Sequence, residues 1–256
     1  MPDAAALSAP RRVAGGWQGV RRRAWRHPEW WALAISAAAW VALAAMGVHR
    51  GGAAWTVGHA AAMGAAMMLP LAVPELRFVA LGSLWRRRDR AMAMFAAGFL
   101  AVWTACGALI LVAMHALVSW AGWPLAAGAA VSGAALWELA PAKSYLLRRC
   151  RRTVPLAPRG WHADACCARY GGITGWGCLT TCGPLMVVCA AFAHSLPVMV
   201  VLFGVQIDGR YGTRRSPRLA AGALVGACLL AALAGGNAHP ALHARTTPAP
   251  HHAPAR

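Results

Sequence analysis

Long apolar runs, each bounded by clusters of arginine, dominate the chain. The first is WWALAISAAAWVALAAMGV at residues 30–48, about 19 residues without a charge. A helix needs about 20 predominantly apolar residues to cross the hydrocarbon core of a bilayer. Further runs begin near Trp55, Ala91, Leu125, Gly171 and Leu219. The pattern predicts an all-α fold, a polytopic transmembrane helical bundle of about six or seven spans.

Prolines interrupt two of these runs. Pro70 stands inside the second run, and proline lacks the backbone N–H that a helix interior needs. We expect the second span to end or bend there. The stretch 171–207 is broken near residues 194–197, which leaves one long tilted helix or a tight helical hairpin. The hairpin is favoured because it returns Arg210 to the side that holds the other arginines.

The basic charge indicates a membrane orientation. The net charge is +18, and Lys143 is the only lysine among the 25 basic residues. A strongly basic chain can bind nucleic acid, but these arginines lie beside apolar runs, as the positive-inside rule expects. We therefore expect no nucleic acid partner. The N-terminus and the loops at 86–90 and 148–170 should face the cytoplasm of a bacterial inner membrane.

Three segments follow from this organisation. Residues 1–29 form a basic cytoplasmic leader, and residues 30–234 form the transmembrane helical domain. Residues 235–256 are rich in Pro, Ala and His and cannot bury a core, so we expect a disordered tail. The chain contains no phosphate-binding loop, zinc-hydrolase motif or nucleophile elbow, so the sequence does not indicate an enzyme.

Two stripes of soft ligands run along the predicted helices. His59, Met63 and Met67 share one helical face, with Met68 beside them. Thioether and imidazole suit a soft or borderline metal such as Cu(I). Methionine also fills gaps in apolar cores, so packing is the alternative.

The second stripe lies in GCLTTCGPLMVVC. Cys178, Cys182, Met186 and Cys189 fall on one helical face. Thiolates and a thioether could supply two or three soft ligands to one ion. A free cysteine also behaves as a small buried hydrophobe, and the spacing is not that of a zinc ribbon.

Glu138 and Lys143 stand five residues apart in the fourth run, with Pro141 between them. An ionisable residue inside a membrane span is costly and is usually functional. Lys143 could instead reach the cytoplasmic surface by snorkelling. Cys150 and the neighbouring pair Cys166 and Cys167 fall in the predicted cytoplasmic loop. They could pass metal, but we favour no functional role for them.

Three segments in this order resemble a bacterial domain-of-unknown-function family of predicted metal-binding integral membrane proteins. They are AAMGAAMMLPLAVP (61–74), WELAPAKSYLLRRCR (137–151) and GITGWGCLTTCGPLM (172–186). The resemblance implies functional positions at Met63, Met67, Met68, Pro70, Trp137, Pro141, Lys143, Cys150, Cys178, Cys182 and Met186. This chain departs from the family where Thr181, Cys182 and Gly183 replace a Cys pair followed by Trp, and again around His194.

We therefore expect a soft transition metal, copper as Cu(I), to be bound between the second and fifth apolar segments. The candidate ligands are His59, Met63, Met67, Met68, Cys178, Cys182 and Met186, and Glu138, Lys143 and His194 are further functional candidates. The role would be delivery, sequestration or passage of metal, with the bilayer and another membrane or periplasmic protein as partners. Two alternatives stay open: a transporter or permease-like subunit that uses Glu138 and Lys143, and a structural membrane subunit without a ligand.

Overall fold

The computed structural model describes residues 27–46, 52–150, 154–155, 157, 160–192, 194–212 and 216–235. Every regular element in these residues is helical, which confirms the predicted all-α fold. The helices are α1 (Trp30–Met46), α2 (Ala53–Met63), α3 (Val73–Gly82), α4 (Arg88–Ala121), α5 (Trp123–Leu139), α6 (Pro141–Cys150), α7 (Gly160–Ala191), α8 (Leu196–Tyr211) and α9 (Pro217–Gly235). The predicted tail, apart from residue 235, and most of the predicted leader lie outside the described residues.

Helix length and composition decide which elements are candidates to cross a membrane. Ala53–Gly82, Arg88–Ala121 and Gly160–Ala191 are long and apolar enough, with 30, 34 and 32 residues. The pair Trp123–Leu139 and Pro141–Arg148 also passes when taken together, with a bend of 68°. The described residues therefore contain three candidate spans, or up to four with the bent pair. Apolar helices at Trp30–Ala45 and Leu219–Cys228 are shorter.

The helix boundaries refine two expectations from the sequence. The helix that contains Pro70 does not end there, because a π turn (Gly64–Met68) and a 3-10 turn (Leu69–Ala72) carry it into α3. The predicted loop over 148–170 is wrong at both ends, because α6 extends to Cys150 and the residues from Gly160 onward form the first turns of α7. Arginine positions alone had assigned them to a loop, but Ala163, Cys167 and Tyr170 are buried at helical spacing.

The described residues divide into two compact units. The described residues within Met1–Leu109 and Leu146–Thr180 form the first unit, and those within Ile110–Tyr145 and Thr181–Arg256 form the second. In the first unit, α4 and α7 approach so closely that a side chain on Gly98 or Gly171 would overlap the backbone of the other helix. Small residues allow the backbones of two packed helices to approach this closely.

The second unit is built from α5, the start of α6, α8, α9 and the adjoining ends of α4 and α7. Met114, Ala126, Ala127 and Ala191 form a buried cluster. The Trp123 indole N–H donates to the Ala191 carbonyl at 2.9 Å. This bond fixes the start of α5 against the end of α7, which also ends near the predicted break at residues 194–197.

Candidate metal centre

The π turn between α2 and α3 follows from Pro70. In a regular helix the N–H of residue 70 would donate to the Ala66 carbonyl, and proline has no N–H. Two side chains of α1 replace that donor: Ser36 Oγ–H donates to the Ala66 oxygen at 2.7 Å, and Trp40 Nε1–H donates at 3.1 Å. Ser36 and Trp40 lie one turn apart and so reach the same carbonyl. The first helix thereby stabilises the irregular turn that carries the methionines.

The π turn also changes the register of the first stripe. The Leu69 N–H bonds to the Gly64 carbonyl, an i→i+5 bond. A π turn holds more residues than an α turn, so Met67 and Met68 do not keep the regular α-helical spacing from Met63. Met63, Met67 and Met68 are all buried. The predicted stripe was therefore drawn with a regular helical spacing that this segment does not have.

His59 stands at the start of the same stripe in α2. It is buried, and its ring stacks on Trp55 with 4.7 Å between ring centroids and 19° between the planes. A stacked ring keeps one orientation, which suits both packing and metal binding. The structure places His59 in the first unit with the methionines. Its role as a ligand stays a prediction.

Removing both α1 donors should destabilise the π turn. Ser36→Ala combined with Trp40→Phe removes both side-chain donors from the buried Ala66 oxygen, which costs about 1–3 kcal/mol. Adding Pro70→Ala supplies a backbone N–H four residues after Ala66, so the same double change should cost less in that background. Thermal unfolding of the purified variants measures both costs.

Ser119→Ala is the matched control for this prediction, because Ser119 Oγ donates only to the Ala116 carbonyl of its own helix in an exposed position. It should change the midpoint very little. An equal cost of the double change with and without Pro70 would show that Ser36 and Trp40 do not compensate for the proline.

The second stripe lies on α7, which stays helical through Pro184. Cys178 is half-buried, whereas Cys182 and Met186 are buried. The helical spacing used to predict this stripe therefore holds. The Trp137 indole N–H donates to the Thr181 carbonyl at 3.3 Å, which fixes α5 beside Cys182.

A glutamine on α8 contacts this stripe. Gln206 Nε2–H points to the Met186 sulfur at 4.0 Å, and both side chains are buried. The sequence interpretation missed Gln206, although a polar residue within LPVMVVLFGVQ is a detectable signal. Cys182 Sγ also lies 3.6 Å from Thr181 Oγ1. Thiol, thioether and amide thus occupy one buried region of the second unit.

Glu138 and Lys143 form an ion pair across the bend between α5 and α6. Both are almost fully buried, with side-chain exposures of 1% and 5%. Pro141 begins α6 directly after Ala140. In a straight helix, residues i and i+5 point in different directions around the axis, and the bend brings the two charges together. The alternative that Lys143 snorkels to a surface is wrong, because its ammonium group is buried against Glu138.

His194 and the adjacent residues Cys166 and Cys167 are the last of the predicted positions. His194 has a left-handed backbone with φ of 57°, and its N–H donates to the Cys189 carbonyl at 2.9 Å. It therefore shapes the end of α7. Cys166 and Cys167 are free thiols in the first turns of α7. They lie near Asp164, which forms ion pairs with Arg87 and Arg90 at 2.6 and 2.7 Å.

The donor set of the second unit suits a soft ion. Within the described part of the chain, no group of three or more His, Cys, Asp and Glu side chains is arranged to hold a metal. Methionine lies outside that set, and thiolates with thioethers are ligands that select Cu(I). The PpoB2 family, described as copper chaperone, matches residues 52–234 of the 256. The chain belongs to this copper chaperone family.

Membership of the copper chaperone family confirms the predicted link to copper handling. The matched range contains every predicted ligand from His59 to Met186, and α1, which holds the π turn, lies before it. No curated protein and no solved structure matches the chain. Which side chains bind copper, and whether the two stripes share an ion, stay predictions.

Proposed function

We propose that this chain is a multi-pass protein of the bacterial inner membrane, with about six or seven spans, that binds copper as cargo. The observation that carries the proposal is the buried thiol–thioether pair of Cys182 and Met186 on α7 in a member of the copper chaperone family. Copper would be delivered, sequestered or passed on, with another membrane or periplasmic protein as the partner.

The exposed side chains support the membrane part of this proposal. Leu109 and Val112 on α4 are 69% and 61% exposed, and Leu136 on α5 is 69% exposed. Water-facing helices usually carry charged residues on such faces, whereas a lipid-facing helix carries leucine and valine. The candidate spans are also long enough for the hydrocarbon core. Helices α1, α8 and α9 would supply the remaining spans of the proposed six or seven.

The chemistry of Cys182 supports a bound cation. The thiolate is the metal-binding form of cysteine, and a bare thiolate in an apolar interior is very costly. A single Cu(I) charge offsets the thiolate charge, so the loaded site is neutral. Metal binding therefore releases the thiol proton, and the neighbouring Met186 thioether adds a ligand without adding charge.

Substitution of the α7 cysteines tests the proposal. Cys178→Ser with Cys182→Ser should weaken Cu(I) binding by at least about 100-fold, since losing even supporting residues of a metal site costs about 10–100-fold. The measurement is Cu(I) competition with a chromophoric chelator in detergent. Cys166→Ser with Cys167→Ser is the control, because it removes two cysteines from the same helix outside the stripe. Unchanged copper affinity in the first variant would identify the stripe as packing.

A transporter-like subunit is the second candidate, and the buried Glu138–Lys143 pair favours it. Ionisable groups inside a span often mark a path for an ion or a solute. In this reading the pair would respond to the passing ion instead of only fixing the bend between α5 and α6. Uptake of copper by vesicles that contain the protein would separate passage from simple binding.

A further inference from the structure

Gln206 occupies a core position on α8. Val198, Leu202 and Gln206 recur every four residues, and all three are buried. That spacing places them on one face of the helix. Apolar side chains fill the other two positions, so a primary amide at the third is an exception. A buried polar group usually persists where its hydrogen bonds are satisfied or where it binds something.

The two ends of the Gln206 amide have different surroundings. Nε2–H points to the Met186 sulfur at 4.0 Å. The Oε1 atom is fully buried and accepts no hydrogen bond from the part of the chain that the structure describes. An acceptor in this state needs a water molecule or a cation. The oxygen belongs to the same planar group as the nitrogen that contacts sulfur, so a cation on Met186 would lie beside it.

We propose that Gln206 is a ligand of the copper site formed by Cys182 and Met186, with its amide oxygen coordinating the ion. This inference rests on the proposed function. Cys182 and Met186 are four residues apart on α7, so their side chains are neighbours on one helical face, about 5–6 Å apart at Cβ. Gln206 approaches that face from α8. The two helices of the second unit then provide a thiolate, a thioether and an amide oxygen.

The proposed ligands suit an ion in an apolar interior. One thiolate balances the charge of Cu(I), and the thioether and the amide are neutral, so no net charge is buried. A Gln amide oxygen also occurs as the weak axial ligand of blue-copper sites, whose main ligands are two His and one Cys. A weak third ligand fits a protein that must later release its cargo, because it can dissociate before the stronger sulfur bonds break.

Gln206→Leu tests the inference, because it should lower the affinity for Cu(I) without lowering the stability of the copper-free protein. The substitution removes an unsatisfied buried acceptor, so the thermal midpoint of the copper-free protein should stay equal or rise. Cu(I) affinity should fall by about 10–100-fold, and X-ray absorption should lose the oxygen or nitrogen ligand that the unsubstituted protein shows. Met199→Leu is the control, because Met199 is buried on the same helix and the exchange nearly preserves volume.

The outcomes separate this inference from the proposed function. If the unsubstituted protein binds no Cu(I), the proposed function fails, and the inference fails with it. If it binds Cu(I) and Gln206→Leu binds equally well with an unchanged absorption spectrum, the assignment of Gln206 alone is wrong. Equal loss of affinity in Met199→Leu would attribute the effect to packing of α8 and would also overturn the assignment.

Discussion

Lys143→Met should destabilise the protein by about 3–5 kcal/mol, the usual cost of removing one partner from a buried ion pair. The Glu138 carboxylate would remain almost fully buried without the ammonium group that balances it. The loss should appear as a lower unfolding midpoint of the purified protein and as a lower yield of folded protein. Glu138→Leu should have an effect of similar size, because it leaves the buried Lys143 ammonium group without the carboxylate that balances its charge.

The double variant Glu138→Leu with Lys143→Met is the decisive control. Replacing a whole buried ion pair with apolar residues is often neutral or stabilising by about 1–4 kcal/mol, so the double variant should fold. If it folds and keeps both copper binding and copper uptake by vesicles, the pair serves only the bend between α5 and α6. If it folds and binds copper but vesicle uptake is lost, the transporter-like function is supported. A double variant as unstable as Lys143→Met would contradict the cost assigned to the lone charge.

Glu138 and Lys143 show how far a local pattern can predict. Their place in one apolar run marked both as functional candidates but left open whether Lys143 reaches a surface, and the 68° bend brings the two charges together. The long apolar runs similarly predicted the all-α fold that the structure shows, because runs of about 20 apolar residues are typical of helices. Composition and residue spacing are enough to predict a helix where the residues of that helix alone form the pattern.

Long-range compensation could not be predicted in the same way. Pro70 indicated an irregular helix, but the choice between an end and a π turn depends on Ser36 and Trp40, which precede Ala66 by 30 and 26 residues. That choice shifted the register of Met67 and Met68. Gln206 was missed for a related reason: its significance comes from the Met186 sulfur on another helix, and no local pattern within α8 shows that contact.

The soft-ligand prediction had a different basis. Cys182 and Met186 indicated copper through their chemistry, and family membership confirms copper handling at the level of the chain. The same residues also fit a packed core, because free cysteine and methionine are both common there. Helical periodicity cannot separate these uses, since a ligand stripe and a packing stripe face the interior with the same spacing.

The close approach of α4 and α7 in the first unit gives the other large effect. A Cβ atom on Gly171 would overlap the Phe95 carbonyl oxygen and lie 2.9 Å from both the Phe95 carbon and the Phe99 nitrogen. These are backbone atoms inside a helix, so they cannot move aside as a flexible side chain can. Gly171→Ala should therefore destabilise the protein by at least about 3 kcal/mol, at the upper end of overpacking effects.

Gly172→Ala provides a matched control one residue away. A Cβ atom there would meet only the Gly98 oxygen and a Val102 methyl group, both at 4.0 Å. Alanine also favours a helix over glycine by about 1 kcal/mol, so this variant should be as stable as the original or more so. Unfolding midpoints in detergent compare the two. Equal midpoints would mean that α4 and α7 are farther apart than this packing requires, because the same added methyl group would then be tolerated at both positions.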